Sequence, residues 1–95
     1  MLIDKGFSLN DVVTIKLQSG EQLMCRYVSE SDTYYKVSKP LVIGMAQGGP
    51  ALMPYLFTIA PGKEVKINKP VTLIELSDDA FAKQYIESTT DIALV

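Results

Sequence analysis

Residues 12–39 read VVTIKLQSGEQLMCRYVSESDTYYKVSK, and this segment decides the fold. Apolar and polar residues alternate in residues 13–17 and again in residues 23–27, which is the period of a strand with one buried face. Ser19-Gly20-Glu21 separates the two runs, and Gly20 supplies the positive φ that a tight hairpin turn needs. Residues 33–43 continue as a third strand. The segment therefore predicts a three-strand antiparallel meander with one apolar face.

Glycine and proline divide the central part of the chain. Pro40 lacks the N–H of a ladder hydrogen bond, so it predicts a bend, a bulge or an outward-facing edge within the third strand. Residues 45–54 contain two glycines and two prolines and are predicted to form a loop. A fourth strand is predicted over residues 55–60. Pro61-Gly62 then predicts a turn, in which Gly62 takes the same backbone conformation as Gly20.

The last third of the sequence predicts a strand and a helix. A short alternating segment at residues 65–67 precedes a fifth strand over residues 71–76. Ser77-Asp78-Asp79 offers an N-cap and acidic charge at the positive end of a helix dipole, so a helix is predicted over residues 78–88. Hydroxyl side chains at residues 88–90 end it, and residues 91–95 form a short tail. We expect residues 1–95 to make one domain.

Composition restricts the possible function classes. The chain is 47% hydrophobic, with a mean hydropathy of +0.16, which exceeds what one small domain hides and indicates a subunit interface. No apolar run is long enough for a membrane span, and the first six residues lack the features of a secretory signal, so we expect a cytoplasmic protein. The net charge of −2 means that only a local basic patch would attract nucleic acid.

The sequence argues against an enzyme. It contains no histidine, which removes imidazole metal ligands and the common general base. Its single cysteine, Cys25, occupies an apolar-facing strand position typical of a buried inert thiol rather than a nucleophile. Glu75, Asp78 and Asp79 are close enough in sequence to bind a divalent cation or act as an acid/base pair, although helix capping is the simpler interpretation. We expect no cofactor.

The pattern of residues 12–39 resembles the first motif of the Sm and Sm-like (LSm/Hfq-type) proteins. Its features are two alternating strands, a glycine turn, an aspartate at the end of the second strand and an aromatic residue just beyond. The segments Gly44-Met45-Ala46-Gln47-Gly48-Gly49 and Leu52-Met53-Pro54-Tyr55-Leu56-Phe57-Thr58 are similar to the Sm-like proteins of tailed marine cyanophages. The resemblance implies a strongly bent five-stranded antiparallel barrel of SH3 type, to which the pattern of residues 78–88 adds one C-terminal helix. It also implies a homo-oligomeric ring of five to seven subunits.

The resemblance further implies an RNA site facing a central pore. Carried over residue by residue, it places Asp32 at the acidic position, Tyr34 near the stacking position and Lys36 where most Sm proteins have asparagine. The second motif corresponds to Gly62 and Lys63, without the usual arginine before the glycine. Stacking by Tyr34 or Tyr35, and phosphate contacts by the lysines, are the expected interactions.

Edge strands with apolar residues are expected to pair between subunits, because an uncovered edge aggregates. The candidate interface residues are Tyr55, Phe57, Ile59, Leu73 and Leu76. Two functions remain open at this point. The ring binds single-stranded RNA, or it is a protein-binding or assembly scaffold without a nucleic-acid role.

Overall fold

The computed structural model describes residues 6–56, 58–60 and 62–94, with the backbone alone in residues 90–94. Within these residues the chain forms six strands and one helix. In chain order they are β1 (Val12–Lys16), β2 (Gln22–Glu30), β3 (Tyr34–Ala46), β4 (Gly49–Pro54), β5 (Glu64–Asn68), β6 (Leu73–Leu76) and α1 (Asp79–Leu94). The prediction of a mostly β chain with one C-terminal helix is confirmed.

The six strands belong to one antiparallel sheet. Its strand order is β4-β3-β2-β1-β6, and β5 pairs with β3 on the same side as β4 does. β5 follows the first part of β3, from Tyr34 to Ser38, whereas β4 follows the second part, from Leu41 to Ala46. The predicted meander of the first three strands is confirmed.

The turn between β1 and β2 has the geometry that its sequence predicts. The Gly20 N–H donates a hydrogen bond to the Leu17 carbonyl over 2.9 Å, and Gly20 has a φ of 102°. Such a φ strains any residue with a Cβ, which explains the glycine. The parallel prediction for Gly62 is wrong, because Gly62 does not have a positive φ.

Each face of the sheet carries a cluster of buried residues. Cys25 belongs to a cluster on one face, and the adjacent Met24 belongs to a second cluster on the other. The buried members of the first cluster are Val13, Ile15, Cys25, Tyr27 and Val37. The buried members of the second are Met24, Leu41 and Tyr85, the last of which comes from α1. The helix therefore packs on the sheet of its own chain.

A bulge bends β3 at Pro40, which confirms the predicted irregularity. Arg26 of β2 pairs with Ser38, but Met24 pairs with Leu41, so β3 has one extra residue at this point. At this bulge, Lys39 has a positive φ of 51°. Just beyond the bulge, Leu41 of β3 packs in one cluster with Tyr85 of α1.

The positions of the fourth strand and the neighbouring loop are the reverse of the prediction. Residues 49–54 form β4, and the described residues between 55 and 60 form no strand. The Tyr55 N–H points to β3, where it bonds the Pro40 carbonyl over 3.3 Å. By alternation, Pro50 and Pro54 have their nitrogens turned to the free edge, where no N–H is needed. The prolines therefore fit an edge strand.

The helix begins close to the predicted position but continues six residues further. The Asp78 carboxylate accepts a hydrogen bond from the Ala80 N–H over 3.2 Å, which confirms the capping interpretation. Thr89, which was predicted to help end the helix, donates its hydroxyl to the Tyr85 carbonyl over 3.0 Å. This bond lies within the helix, so the hydroxyl does not end α1, which extends to Leu94. Of the described residues, no helix has both the length and the apolarity to cross a membrane.

The sheet curves strongly, although it does not close. Val65 and Ile67 of β5 and Ile74 of β6 pack against the same cluster, yet their strands lie at opposite ends of the strand order. Among the described strands, no hydrogen-bonded ladder joins β6 to β4 or β5. The expected five-stranded barrel is therefore not confirmed, and the described residues form one antiparallel sheet of six strands that is not closed.

Candidate nucleic-acid interface

Two turns meet at one end of the sheet and form what we call the turn surface, residues 30–33 and 69. The Lys69 N–H, after β5, donates to the Thr33 carbonyl between β2 and β3 over 2.9 Å. The Lys69 ammonium donates to the Glu30 carboxylate over 2.7 Å. These bonds hold the β5–β6 connection against the β2–β3 turn. Asp32, a sequence-predicted site residue, is exposed on this surface.

The charges of the turn surface stabilise one another. The hydrogen bond from Lys69 lowers the pKa of Glu30 below its ordinary value, and the same bond raises the pKa of Lys69. Asp32 adds a smaller effect that also raises the pKa of Lys69. The Tyr27 hydroxyl donates to the second oxygen of Glu30 over 2.9 Å. Lys69 is therefore a fixed cation whose charge Glu30 partly balances.

A second group of polar side chains lies on the outer face of β3 and β5, beside the turn surface. We call it the lysine–tyrosine face, which comprises Tyr34, Lys36, Lys66 and Asn68. Tyr34 pairs with Asn68, and Lys36 pairs directly with Lys66. The Lys66 ammonium lies 4.8 Å from the centre of the Tyr34 ring, a cation–π distance. Two like charges directly opposite each other destabilise a sheet. Lys36 and Lys66 are therefore stabilised by a nearby anion or aromatic ring.

The two adjacent tyrosines have different environments. Tyr34 is half-buried and lies on the lysine–tyrosine face. Tyr35 points the other way and packs against the first hydrophobic cluster, with the Lys69 ammonium 4.5 Å from its ring centre. Of the two residues that the sequence left open for base stacking, Tyr34 is the one on the outer face.

Gly62 and Lys63 do not join the other predicted RNA-binding residues. Ser38 pairs with Glu64, so Lys63 lies level with Lys39, at the opposite end of β5 from Asn68. At about 3.3 Å per residue, this places Lys63 roughly 20 Å from Asp32 along β3. Asp32, Tyr34 and Lys36 therefore lie together, while Gly62 and Lys63 belong to another part of the surface.

No model of a known protein family matches the sequence, and no curated protein matches it. The chemistry of these side chains is therefore the basis for assigning a function.

Sequence reasoning did not select Lys66, Asn68 or Lys69 as site residues. In the structure these three residues, rather than Gly62 and Lys63, lie beside Tyr34 and Lys36 and the β2–β3 turn. The difference arises from the predicted position of the fourth strand. Placing that strand at residues 55–60 put the connection to the last strand at Pro61-Gly62. A signal was present in the alternation of Lys66 with Val65 and Ile67, which is typical of a strand with one polar face. That strand is β5, and Lys69 follows it.

The predicted interface residues occupy two regions. Leu73 and Leu76 on β6 are 47% and 59% exposed, which is high for leucines in a strand. Ile59 is 37% exposed in the β4–β5 connection, and Tyr55 is half-buried just after β4. Phe57 lies outside the described residues. The β6 edge is thus an exposed apolar strand.

The described side chains offer little for catalysis. Burial raises the pKa of the Cys25 thiol to about 12, so it remains protonated and unreactive at neutral pH. In the part of the chain that the structure describes, no three aspartate, glutamate or cysteine side chains gather around a potential metal position. The arrangement is suited to binding through charge, stacking and strand pairing.

Proposed function

We propose that this protein is a subunit of an Sm-like homo-oligomeric ring that binds single-stranded RNA and acts in RNA metabolism. Three features support the proposal, and the first is the curved sheet. Its two ends pack on one core, as they do in a small barrel that neighbouring subunits complete. The others are the free apolar edge of β6 and the lysine–tyrosine face.

The free edges of the sheet support the ring. Among the described strands, β6 pairs only with β1 and has two exposed leucines at one end of the sheet, and β4 and β5 pair only with β3 at the other. An apolar edge invites pairing with another strand. Two different edges that pair head to tail form a heterologous interface, which closes into a ring when the rotation permits.

Light scattering coupled to size exclusion tests the ring. We expect the wild type to have the mass of five to seven copies of the 10.5 kDa chain. Leu73→Asp with Leu76→Asp adds charge to the β6 edge and is expected to give monomers. Leu9→Asp is the matched control, because Leu9 is 66% exposed before β1 and belongs to neither free edge. A monomeric wild type at micromolar concentration contradicts the ring.

The observation that carries RNA binding is the lysine–tyrosine face. It combines an aromatic ring, two lysines and the Asn68 amide on neighbouring strands. Single-stranded nucleic acids bind surfaces on which bases stack on aromatic rings and lysines contact phosphates. The net charge of the chain is −2, so the attraction has to be local. A ring repeats the two lysines in every subunit, which multiplies a weak contact.

Fluorescence anisotropy with a short labelled U-rich RNA at low salt tests this site. We expect affinity to fall steeply with salt, because binding releases counterions from the phosphates. Lys36→Glu is expected to abolish binding without changing the mass of the ring. Tyr34→Ala is expected to cost about 1–3 kcal/mol per stacked base. Lys83→Glu is the control, because Lys83 is exposed on α1, outside both the lysine–tyrosine face and the β6 edge.

One observation favours the alternative of a scaffold ring without RNA. Lys36 lies 4.0 Å from the Glu64 carboxylate, and Lys69 is paired with Glu30. These anions compete with phosphate for the two lysines. If the wild type forms a ring but gives no anisotropy change, or if Lys36→Glu binds as the wild type does, the scaffold function replaces RNA binding.

A further inference from the structure

A cavity of about 380 Å³ lies between the β3 bulge, the β4–β5 connection and α1, far from the turn surface. Its volume is within the range of about 300–1,000 Å³ that is common for small-molecule sites. The walls are mainly apolar. They include Pro40, Leu41, Pro54, Leu56, Ile59 and Val65.

Two lysines add positive charge to this apolar cavity. Lys39 of β3 and Lys63 before β5 both belong to its lining. Within the described residues, neither has a carboxylate within 4.0 Å, whereas Lys36 and Lys69 each have one. The remaining polar side chain of the lining, Thr89, already donates its hydroxyl to carbonyls of α1. The cavity thus combines apolar walls with two cations that have no carboxylate partner among the described residues.

The backbone that carries Lys39 is fixed. Lys39 has a φ of 51°, a conformation that costs a residue with a Cβ energy and persists when its surroundings impose it. The Tyr85 hydroxyl holds this part of the backbone by donating to the Lys39 carbonyl over 2.6 Å. Tyr85 itself is completely buried. The position from which the Lys39 side chain extends is therefore set before any ligand binds.

We propose that this cavity binds an aliphatic carboxylate, a medium-chain fatty acid. The aliphatic chain lies against Leu41, Leu56 and Val65, and the carboxylate pairs with Lys39 and Lys63. Burial of the chain supplies the affinity, and the paired lysines select an anionic head group. A neutral or cationic amphiphile of the same length lacks this pairing. The site requires neither the ring nor RNA binding.

Titration of the ¹⁵N-labelled protein, followed by NMR, tests the proposal with octanoate, decanoate and 1-octanol. We expect octanoate and decanoate to shift the amide signals of Leu41, Leu56 and Val65. Decanoate is expected to bind about fifteenfold more tightly than octanoate, because it has two more methylenes and each buried methylene contributes about 0.8 kcal/mol. Octanoate is expected to bind more tightly than 1-octanol, which has the same chain without the charge.

Variants then test the role of the lysines. Lys39→Asn removes the charge and keeps a residue that tolerates a positive φ, and Lys63→Gln changes an exposed residue. The double variant is expected to bind octanoate no better than 1-octanol, whereas Lys16→Gln binds as the wild type does. The amide spectrum of each variant shows whether it is folded.

Three results would overturn the proposal. The first is the absence of shifts in the cavity at millimolar decanoate, and the second is a set of shifts located elsewhere. The third is equal affinity for octanoate and 1-octanol in the wild type. Ala60→Phe adds a bulky side chain to the lining. If it changes the mass of the assembly and the wild type binds no decanoate, a second copy of the chain covers the cavity instead.

Discussion

Tyr85→Phe is the most direct test of how α1 is attached to the sheet. Tyr85 is completely buried, and its hydroxyl donates to the Lys39 carbonyl over 2.6 Å, with the Ser38 carbonyl 3.4 Å away. The substitution removes one oxygen atom and keeps the ring. It therefore separates the hydrogen bond to the bulge from the packing of the ring against Met24 and Leu41.

The expected loss follows from the chemistry of this bond. An intramolecular hydrogen bond contributes about 1 kcal/mol net, and a buried group left without a partner costs about 1–3 kcal/mol. Removing the hydroxyl leaves the Lys39 carbonyl without its donor beside a strained backbone. We therefore expect Tyr85→Phe to lower the free energy of unfolding by about 1–2 kcal/mol.

Urea unfolding followed by circular dichroism measures this loss. Protein concentration has to be fixed, because assembly adds to apparent stability. Tyr34→Phe is the matched control, since within the described residues its hydroxyl makes no hydrogen bond, and we expect a change within about 0.5 kcal/mol. A Tyr85→Phe midpoint equal to that of the wild type, or equal losses in both variants, would refute the role given to the hydroxyl.

Three further predictions concern the hairpin turn, the turn surface and the core. Gly20→Val is expected to lower the free energy of unfolding in urea by about 1–2 kcal/mol through backbone strain. Gly62→Val changes a glycine without positive φ and is expected to cost less than half as much. Equal losses in the two variants would contradict this prediction. The pKa of Glu30 is lowered by Lys69, so the pair's stabilisation is complete above the ordinary value of 4.5 and is lost as pH falls through the folded pKa. Lys69→Gln should therefore reduce the stability difference between about pH 6 and about pH 3, and an unchanged difference would count against the pair. Burial raises the pKa of Cys25 to about 12, so a thiol reagent at about pH 8 should label it only after unfolding, and rapid labelling of the native protein would show that the thiol is accessible.

Part of the lysine–tyrosine face could be predicted from sequence because it belongs to one continuous strand. Tyr34 and Lys36 are two residues apart, and strand alternation alone puts them on the same face. The choice between Tyr34 and Tyr35 for base stacking required the structure. It depends on which side of β3 faces the first cluster, and residues of other strands decide that.

The partners from β5 could not be predicted in the same way. Lys69 and Glu30 are 39 residues apart, and their bond depends on the pairing of β5 with the first part of β3. Reading residues 45–54 as a loop hid this pairing. Prolines argue against a central strand but not against an edge strand. The sequence of residues 45–54 does not show whether another strand will lie on the side where the proline N–H is missing.

The sequence by itself determined the features that depend on neighbouring residues. These are the hairpin with Gly20 at its turn, the irregularity at Pro40 and the capping of α1 by Asp78. Backbone conformation and alternation are local properties, so residue type is enough to predict them. The tertiary structure alone decided which strands pair, where Lys69 lies and how far α1 extends. Those outcomes depend on the free energy of contacts between segments that are distant in sequence, and local residue patterns do not predict these contacts.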